Sequence, residues 1–198
     1  MLMQTETEQV LDLKLAPAAA ARLEIATIIT EHKLVHLHPH WFIDEEEWRD
    51  NILFVQLRDY ETDRKFSLGL RLYIFPDQGD KGGENTKNIM QIQLVDYGAT
   101  ELLFFIDQDK TRVRIRYSSQ QARQDVEQEV LLWIRALQEY LRLYTTTTPH
   151  TFFFRILMNK MMLQMNPSQR NICIMITKIT IIELLVILIL VVGYVYFS

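Results

Sequence analysis

Four of the five histidines in this chain fall in one short stretch. His32, His36, His38 and His40 lie within HKLVHLHPHW, and the carboxylates of Asp44–Glu47 follow a few residues later. Neutral imidazoles and carboxylates are the donors that hold zinc or iron, so this stretch is where metal chemistry would be sought. Its spacing reads two ways. His32, His36 and His40 are four apart and would share a helix face; His36, His38 and His40 are two apart and would share a strand face. Pro39 interrupts either element. A metal centre needs three convergent ligands and an open position. The sequence alone assigns no metal here, and a polar surface segment or cavity rim accounts for the same residues.

Other chemistries find less support. Arg112, Arg114 and Arg116 alternate with Val113, Ile115 and Tyr117, a stripe that would meet lipid phosphates or, more simply, form the solvated face of a half-buried strand. On the second reading, acidic residues of neighbouring strands sit opposite the arginines. The glycine-rich run Asp77–Asn88 lacks the GxxxxGK[ST] spacing and has no helix after it, so it reads as a loop between strands. Serines, cysteine and histidines are scattered without a nucleophile elbow. No catalytic residue and no cofactor are assigned.

Charge and hydropathy organise the rest. Residues 1–149 carry 17 Lys+Arg against 24 Asp+Glu; residues 150–198 carry Arg155, Lys160, Arg170 and Lys178 against Glu183 alone. An acidic body argues against nucleic acid as a partner, because phosphate binding needs a basic footprint. Ile179–Phe197 is apolar but for Glu183. As a helix it is about 28 Å long, close to a hydrocarbon core of about 30 Å, and from Ile172 it would reach about 39 Å and tilt. The reading is a single transmembrane helix over 172–198, serving as a tail anchor. Glu183, near Lys178, snorkels or pairs with that lysine. The cations on the N-terminal side of the span place the preceding domain in the cytoplasm. MLMQTETEQV has neither a basic nor an apolar signal region, so no secretory signal is expected. The single Cys173 fits a reducing compartment and, at the membrane edge, is a small apolar residue or an S-acylation site.

The elements that must position these residues follow from periodicity. Gln9–Leu15, Ile52–Tyr60, Lys65–Phe75, Ile89–Tyr97, Glu101–Ile106 and Thr111–Tyr117 alternate as strands, and short connections make the later ones antiparallel neighbours. Pro17 opens an alanine-rich helix, Ala18–Glu31. Gln120–Tyr144 is the strongest helix, with Val126, Val130, Trp133, Ile134, Leu137 and Leu141 at three- and four-residue intervals. Phe152–Met165 is a second amphipathic helix whose narrow polar stripe is Arg155, Asn159, Lys160 and Gln164. Too short to span, it suits the lipid interface, with packing on the domain or the span as the alternative. Asn166–Asn171 is the turn before the span.

On VLDLKLAPAAAARLEI, HLHPHWF and the final pair TRVRIRY and QDVEQEVLLWIRALQEYLRLY, the chain resembles the helix-grip superfamily (START, Bet v 1 and polyketide cyclase-like, SRPBCC) over about residues 8–145. The resemblance implies an α+β helix-grip domain over 1–148, followed by a linker with an interfacial helix over 149–171 and then the span. It further implies a hydrophobic small molecule, a lipid or quinone, held between a curved antiparallel sheet and the long helix. Phe66, Leu68, Leu70, Leu72, Ile92, Leu94, Val113, Ile115 and Tyr117 would line the sheet side, and Val126, Val130, Ile134, Leu137 and Leu141 the helix side. A solid core is the alternative, because interiors are normally close-packed. The chain would then be a membrane-tethered interaction subunit with a protein partner. An enzyme acting on an apolar substrate is a third reading. The ring-hydroxylating oxygenases of this superfamily hold iron with two histidines and a carboxylate, but this chain lacks their iron–sulfur cysteines and ligand spacing.

Overall fold

The computed structural model describes residues 7–15, 25–75, 86–108, 110–145 and 148–197. Seven strands form one antiparallel sheet: β1 (Thr7–Asp12), β2 (Trp41–Arg49), β3 (Ile52–Asp59), β4 (Lys65–Ile74), β5 (Thr86–Val95), β6 (Ala99–Asp107) and β7 (Lys110–Tyr117), in the order β1-β7-β6-β5-β4-β3-β2. Two short helices, α1 (Ile25–Ile28) and α2 (Glu31–Leu37), separate β1 from β2. The long helix α3 (Gln120–Thr145) follows β7 and packs across the sheet. Then come α4 (Pro149–Lys160), a 3-10 turn (Met162–Gln164) and α5 (Pro167–Phe197). Half of the predicted alanine-rich helix, residues 18–24, and the Asp77–Asn88 loop up to residue 85 lie outside the described residues.

Strands buried on one face write their position into the sequence. β7 alternates Thr111, Val113, Ile115 and Tyr117 inward with Arg112, Arg114 and Arg116 outward, and β3 alternates Leu53, Val55 and Leu57 inward. β2 carries no such signal. It is an edge strand whose residues from Asp44 to Arg49 are all exposed, and Asp44–Glu47 lie within it. A charged edge resists pairing with another chain. β2 and β3 join through Asp50 and Asn51, both at positive φ (49° and 61°), the backbone of a two-residue primed turn.

Register shifts at Ile43/Glu45, Asn88/Met90 and Ala99/Glu101 mark bulges, which bend a sheet and increase its twist. The turn at Gly98 passes close beneath the first turns of α3. A Cβ there would stand 2.9 Å from Val126 and 3.0 Å from the Ala122 carbonyl, so glycine is required by space. The buried side chains of the sheet's inner face, of α1 and α2, and of one stripe of α3 make a single core. A curved antiparallel sheet gripping a long helix that follows its last strand is the helix-grip α+β fold.

Candidate ligand-binding interior and membrane-facing module

All fourteen residues assigned to the interior face it. Leu68, Leu70, Ile92, Leu94, Val113, Ile115, Tyr117, Val126, Val130, Ile134, Leu137 and Leu141 are buried in the core, and Phe66 and Leu72 are partly buried against it. The reading missed Trp41, Met90, Tyr97, Leu102, Phe104 and Tyr140. It also left Trp133 off the lining, although Trp133 sits on the same helical stripe as Val130 and Leu137.

These missed aromatics dominate one end of the interior. The Trp41 ring centroid lies 4.0 Å from His38, stacked at 17°, and 5.1 Å from Trp133, 5.8 Å from Phe66 and 6.0 Å from Tyr97. The Trp133 indole N–H donates to the Leu34 carbonyl at 2.6 Å, tying α3 to α2. Among the described residues, the buried Trp41 indole N–H and the buried Thr111 hydroxyl on β7 have no hydrogen-bond partner. An unpaired buried polar group is costly, and native interiors hold few. Beside this cluster the Glu129 carboxylate accepts from Arg64 at 2.7 Å and from the Tyr97 hydroxyl at 2.9 Å. Burial pushes the Glu129 carboxyl up from its ordinary range and the Tyr97 hydroxyl up as well.

The histidine run divides. Thr30 caps α2, its hydroxyl accepting from the Lys33 N–H, and this places His32 and His36 one turn apart. His38 follows the helix and points into the core with no exposed surface. Its Nε2–H donates to the Glu129 carbonyl at 3.2 Å, and its Nδ1 accepts the His40 backbone N–H at 3.2 Å. Both ring nitrogens are thus satisfied by a neutral imidazole, and burial lowers its pKa to about 3. His38 is a core residue and not a metal ligand. His40 lies 3.6 Å from Glu61, away from the other two. His32 and His36 both approach Glu46 of β2.

Two of the three arginines of the stripe are paired along the outer face. Arg116 bridges Glu8 at 2.7 Å and Glu101 at 2.6 Å; Arg112 bridges Asp12 at 2.8 Å and also contacts Asp107. Arg114 lies over the Phe105 ring at 5.3 Å. Strands β1 and β6 supply these partners on either side of β7, so the stripe is a solvated face and not a phosphate-binding surface.

In the segment after α3, α4 packs in part on the domain, the alternative given for this helix. Two polar residues of α4 turn toward the domain and not toward headgroups. Arg155 donates to the Leu143 carbonyl at 2.9 Å and lies over the Tyr144 ring at 4.8 Å. Asn159 accepts from the Tyr140 hydroxyl at 2.8 Å and donates to the Tyr144 hydroxyl at 2.7 Å. With these groups satisfied against α3, Phe152, Phe153, Phe154 and Ile156 are left exposed. Leu163 then inserts into the core, fixing the chain before α5.

α5 starts earlier than expected. Pro167 is its first residue, and the Gln169 side chain accepts from the Asn166 N–H at 3.0 Å, half of a capping box. The Asn166–Asn171 turn is therefore mostly helix. Arg170, on the first turn, donates to the Met165 carbonyl at 2.9 Å, to the His36 carbonyl at 2.8 Å and to the His38 carbonyl at 3.4 Å. The His36 and His38 carbonyls belong to the C-terminal end of α2, where a cation is favoured. Arg170→Met is expected to destabilise the full chain by about 1.5–3 kcal/mol, the range for hydrogen bonds to a charged group, read as earlier thermal unfolding in detergent micelles. Among the described residues one helix is long and apolar enough to cross a membrane, Pro167–Tyr196; its most apolar stretch has a mean hydropathy of 2.7 and is not buried.

Structural comparison finds similarity to the crystal structure of Ara h 8.0201 (14% identity, TM-score 0.37, over 70% of this chain and 97% of that one). It also finds the solution structure of Chr148 from Cytophaga hutchinsonii (14% identity, TM-score 0.30, over 72% and 91%). No family model and no curated protein matches the chain.

Proposed function

We propose that this chain is a single-pass membrane protein whose helix-grip domain sits on the cytoplasmic leaflet and takes a hydrophobic molecule from the bilayer into the space between sheet and α3. The observation that carries the reading is the orientation of α4. Its Arg155 and Asn159 are used against the domain, and its phenylalanine face points outward immediately before an unburied apolar helix. Three adjacent exposed phenylalanines on a helix fastened to a domain suit insertion into the headgroup–acyl boundary. The bilayer is then the first partner. The cations ahead of the span support the cytoplasmic side.

The ligand part of the proposal draws on the apolar interior and on the Trp41 indole N–H, a buried donor that a carbonyl or hydroxyl oxygen of a quinone or lipid would satisfy. Organic extraction of the full chain, purified from membranes in detergent, is expected to release one apolar species near stoichiometry by mass spectrometry. Recovery of bulk phospholipid alone, with no thermal shift from any quinone or lipid tested, overturns ligand binding. A second reading, a solid-cored tethered interaction domain, is favoured by the aromatic packing of Trp41, Trp133, Phe66 and Tyr97 and would be the conclusion in that case.

Seating on the leaflet is tested separately. A nitroxide at position 153 of the reconstituted chain is expected to be relaxed by dissolved oxygen and shielded from a polar nickel chelate, at a depth of about 5–10 Å. Easy access to the chelate overturns the interfacial role of α4.

A further inference from the structure

We propose that His32, His36 and Glu46 form a binding site for a divalent transition ion, zinc by the chemistry of its donors. The site lies outside the apolar interior and does not depend on the ligand-binding reading. His32 and His36 stand at i and i+4 on α2, with ring centroids 4.3 Å apart. Their Nε2 atoms address different oxygens of one carboxylate: His36 lies 3.3 Å from Glu46 Oε1 and His32 lies 3.6 Å from Glu46 Oε2. One donor atom from each of the three residues falls within 4.8 Å of the others. A tetrahedral ion with bonds of about 2.0–2.1 Å holds its donors about 3.3 Å apart, so small side-chain rotations bring the three into its shell.

The fold prepares this arrangement from both sides. The Thr30 cap and the Arg170 contacts to the His36 and His38 carbonyls hold the two ends of α2. On β2 the register shifts between Ile43 and Glu45, immediately before Glu46, and a bulge re-aims the side chains that follow it. Without an ion, two imidazoles crowd one carboxylate, an arrangement of little value for stability at a partly exposed site. The His36 side chain is 19% exposed, Glu46 27% and His32 56%, so the site faces solvent on the His32 side. Three protein donors with a solvent-facing position are the layout of a zinc ion that retains a water.

The test is zinc titration of the full chain in detergent micelles after chelator treatment, by calorimetry, with cobalt(II) absorption reporting coordination. Wild type is expected to bind one ion, reversibly to chelator, with the visible bands of four-coordinate cobalt. His32→Ala and Glu46→Gln change exposed or half-exposed side chains and are expected to leave the circular dichroism unchanged. Each is expected to weaken binding by more than the roughly tenfold that loss of an outer-shell partner causes. His40→Ala, beside Glu61, is expected to stay within about twofold of wild type on the same scale. No saturable binding by wild type, or wild-type affinity in either His32→Ala or Glu46→Gln, overturns the three-ligand site.

Discussion

Trp133→Ala is expected to destabilise the domain by about 3–5 kcal/mol, the range for removing a buried large aromatic side chain, and thus to lower the melting temperature by roughly 10 °C for a chain of this size. Three losses coincide at this position. The ring is 1% exposed in the middle of the α3 stripe, and its removal leaves a cavity against Trp41. The hydrogen bond to the Leu34 carbonyl disappears and leaves that acceptor in the core. The contact also links α3 to α2, so the change loosens the platform of His32 and His36. Trp133→Phe keeps most of the packing but not the donor, and it is expected to recover more than half of the loss. Thermal unfolding of the full chain in micelles, followed by near-ultraviolet circular dichroism, reads both. Equal melting of wild type and Trp133→Ala would show that this end of the interior is not close-packed.

Acid is expected to weaken the fold well above the pH where carboxylates titrate. His38 is neutral in the folded chain with a pKa of about 3, against an ordinary value near 6.5. The unfolded chain therefore binds the extra proton between these values, and stability falls as pH falls. The contribution is complete above about pH 6.5 and declines below it by about 1.4 kcal/mol per pH unit until about pH 3. Burial is the main cause, opposed by the bond to the Glu129 carbonyl; His40 and Arg170 add to the depression and Asp59 opposes it. His36, also depressed by burial, acts in the same direction. Glu129, whose carboxyl is pushed up by burial, acts in the opposite direction at lower pH. Denaturant unfolding between pH 7.5 and 5.5, a range of about two units around the imidazole value, separates histidine from carboxylate titration. His38→Gln is expected to be less stable than wild type at neutral pH but to show a flatter slope. An unchanged slope in that variant would assign the acid sensitivity elsewhere.

These two positions also mark what the sequence could and could not reveal. Trp133 was readable, because a helix that buries one face repeats its apolar residues at three and four. His38 was not. Its burial depends on Pro39 ending the helical path and on α3 presenting the Glu129 carbonyl from 91 residues away. β7 was legible in detail, since strict alternation assigned Arg112, Arg114 and Arg116 outward and acids of β1 and β6 do meet two of them. β2 was not, because an edge strand exposed along most of its length loses the period of two. The stripe on α4 was visible, but its direction was not. Arg155 and Asn159 satisfy α3, and only the tertiary contact shows that the apolar side is the free one. The His32, His36 and Glu46 group needed both the helix phase of α2 and the bulge in β2, two local facts that one-dimensional spacing does not join.

The Arg170 contacts change what kind of attachment joins the domain to its helix. A flexible linker of six residues would act as a short leash, and the domain would sample many headings above the lipid. Here the interval between Lys160 and Pro167 includes a 3-10 turn, buries Leu163, and ends on a guanidinium clamped to α2. The attachment behaves as a mast stepped into the hull: domain and helix heel together. On the proposed membrane reading of α5, a change in its tilt, from bilayer thickness or a neighbouring helix, would therefore be felt as torque on α2, the element that carries His32 and His36.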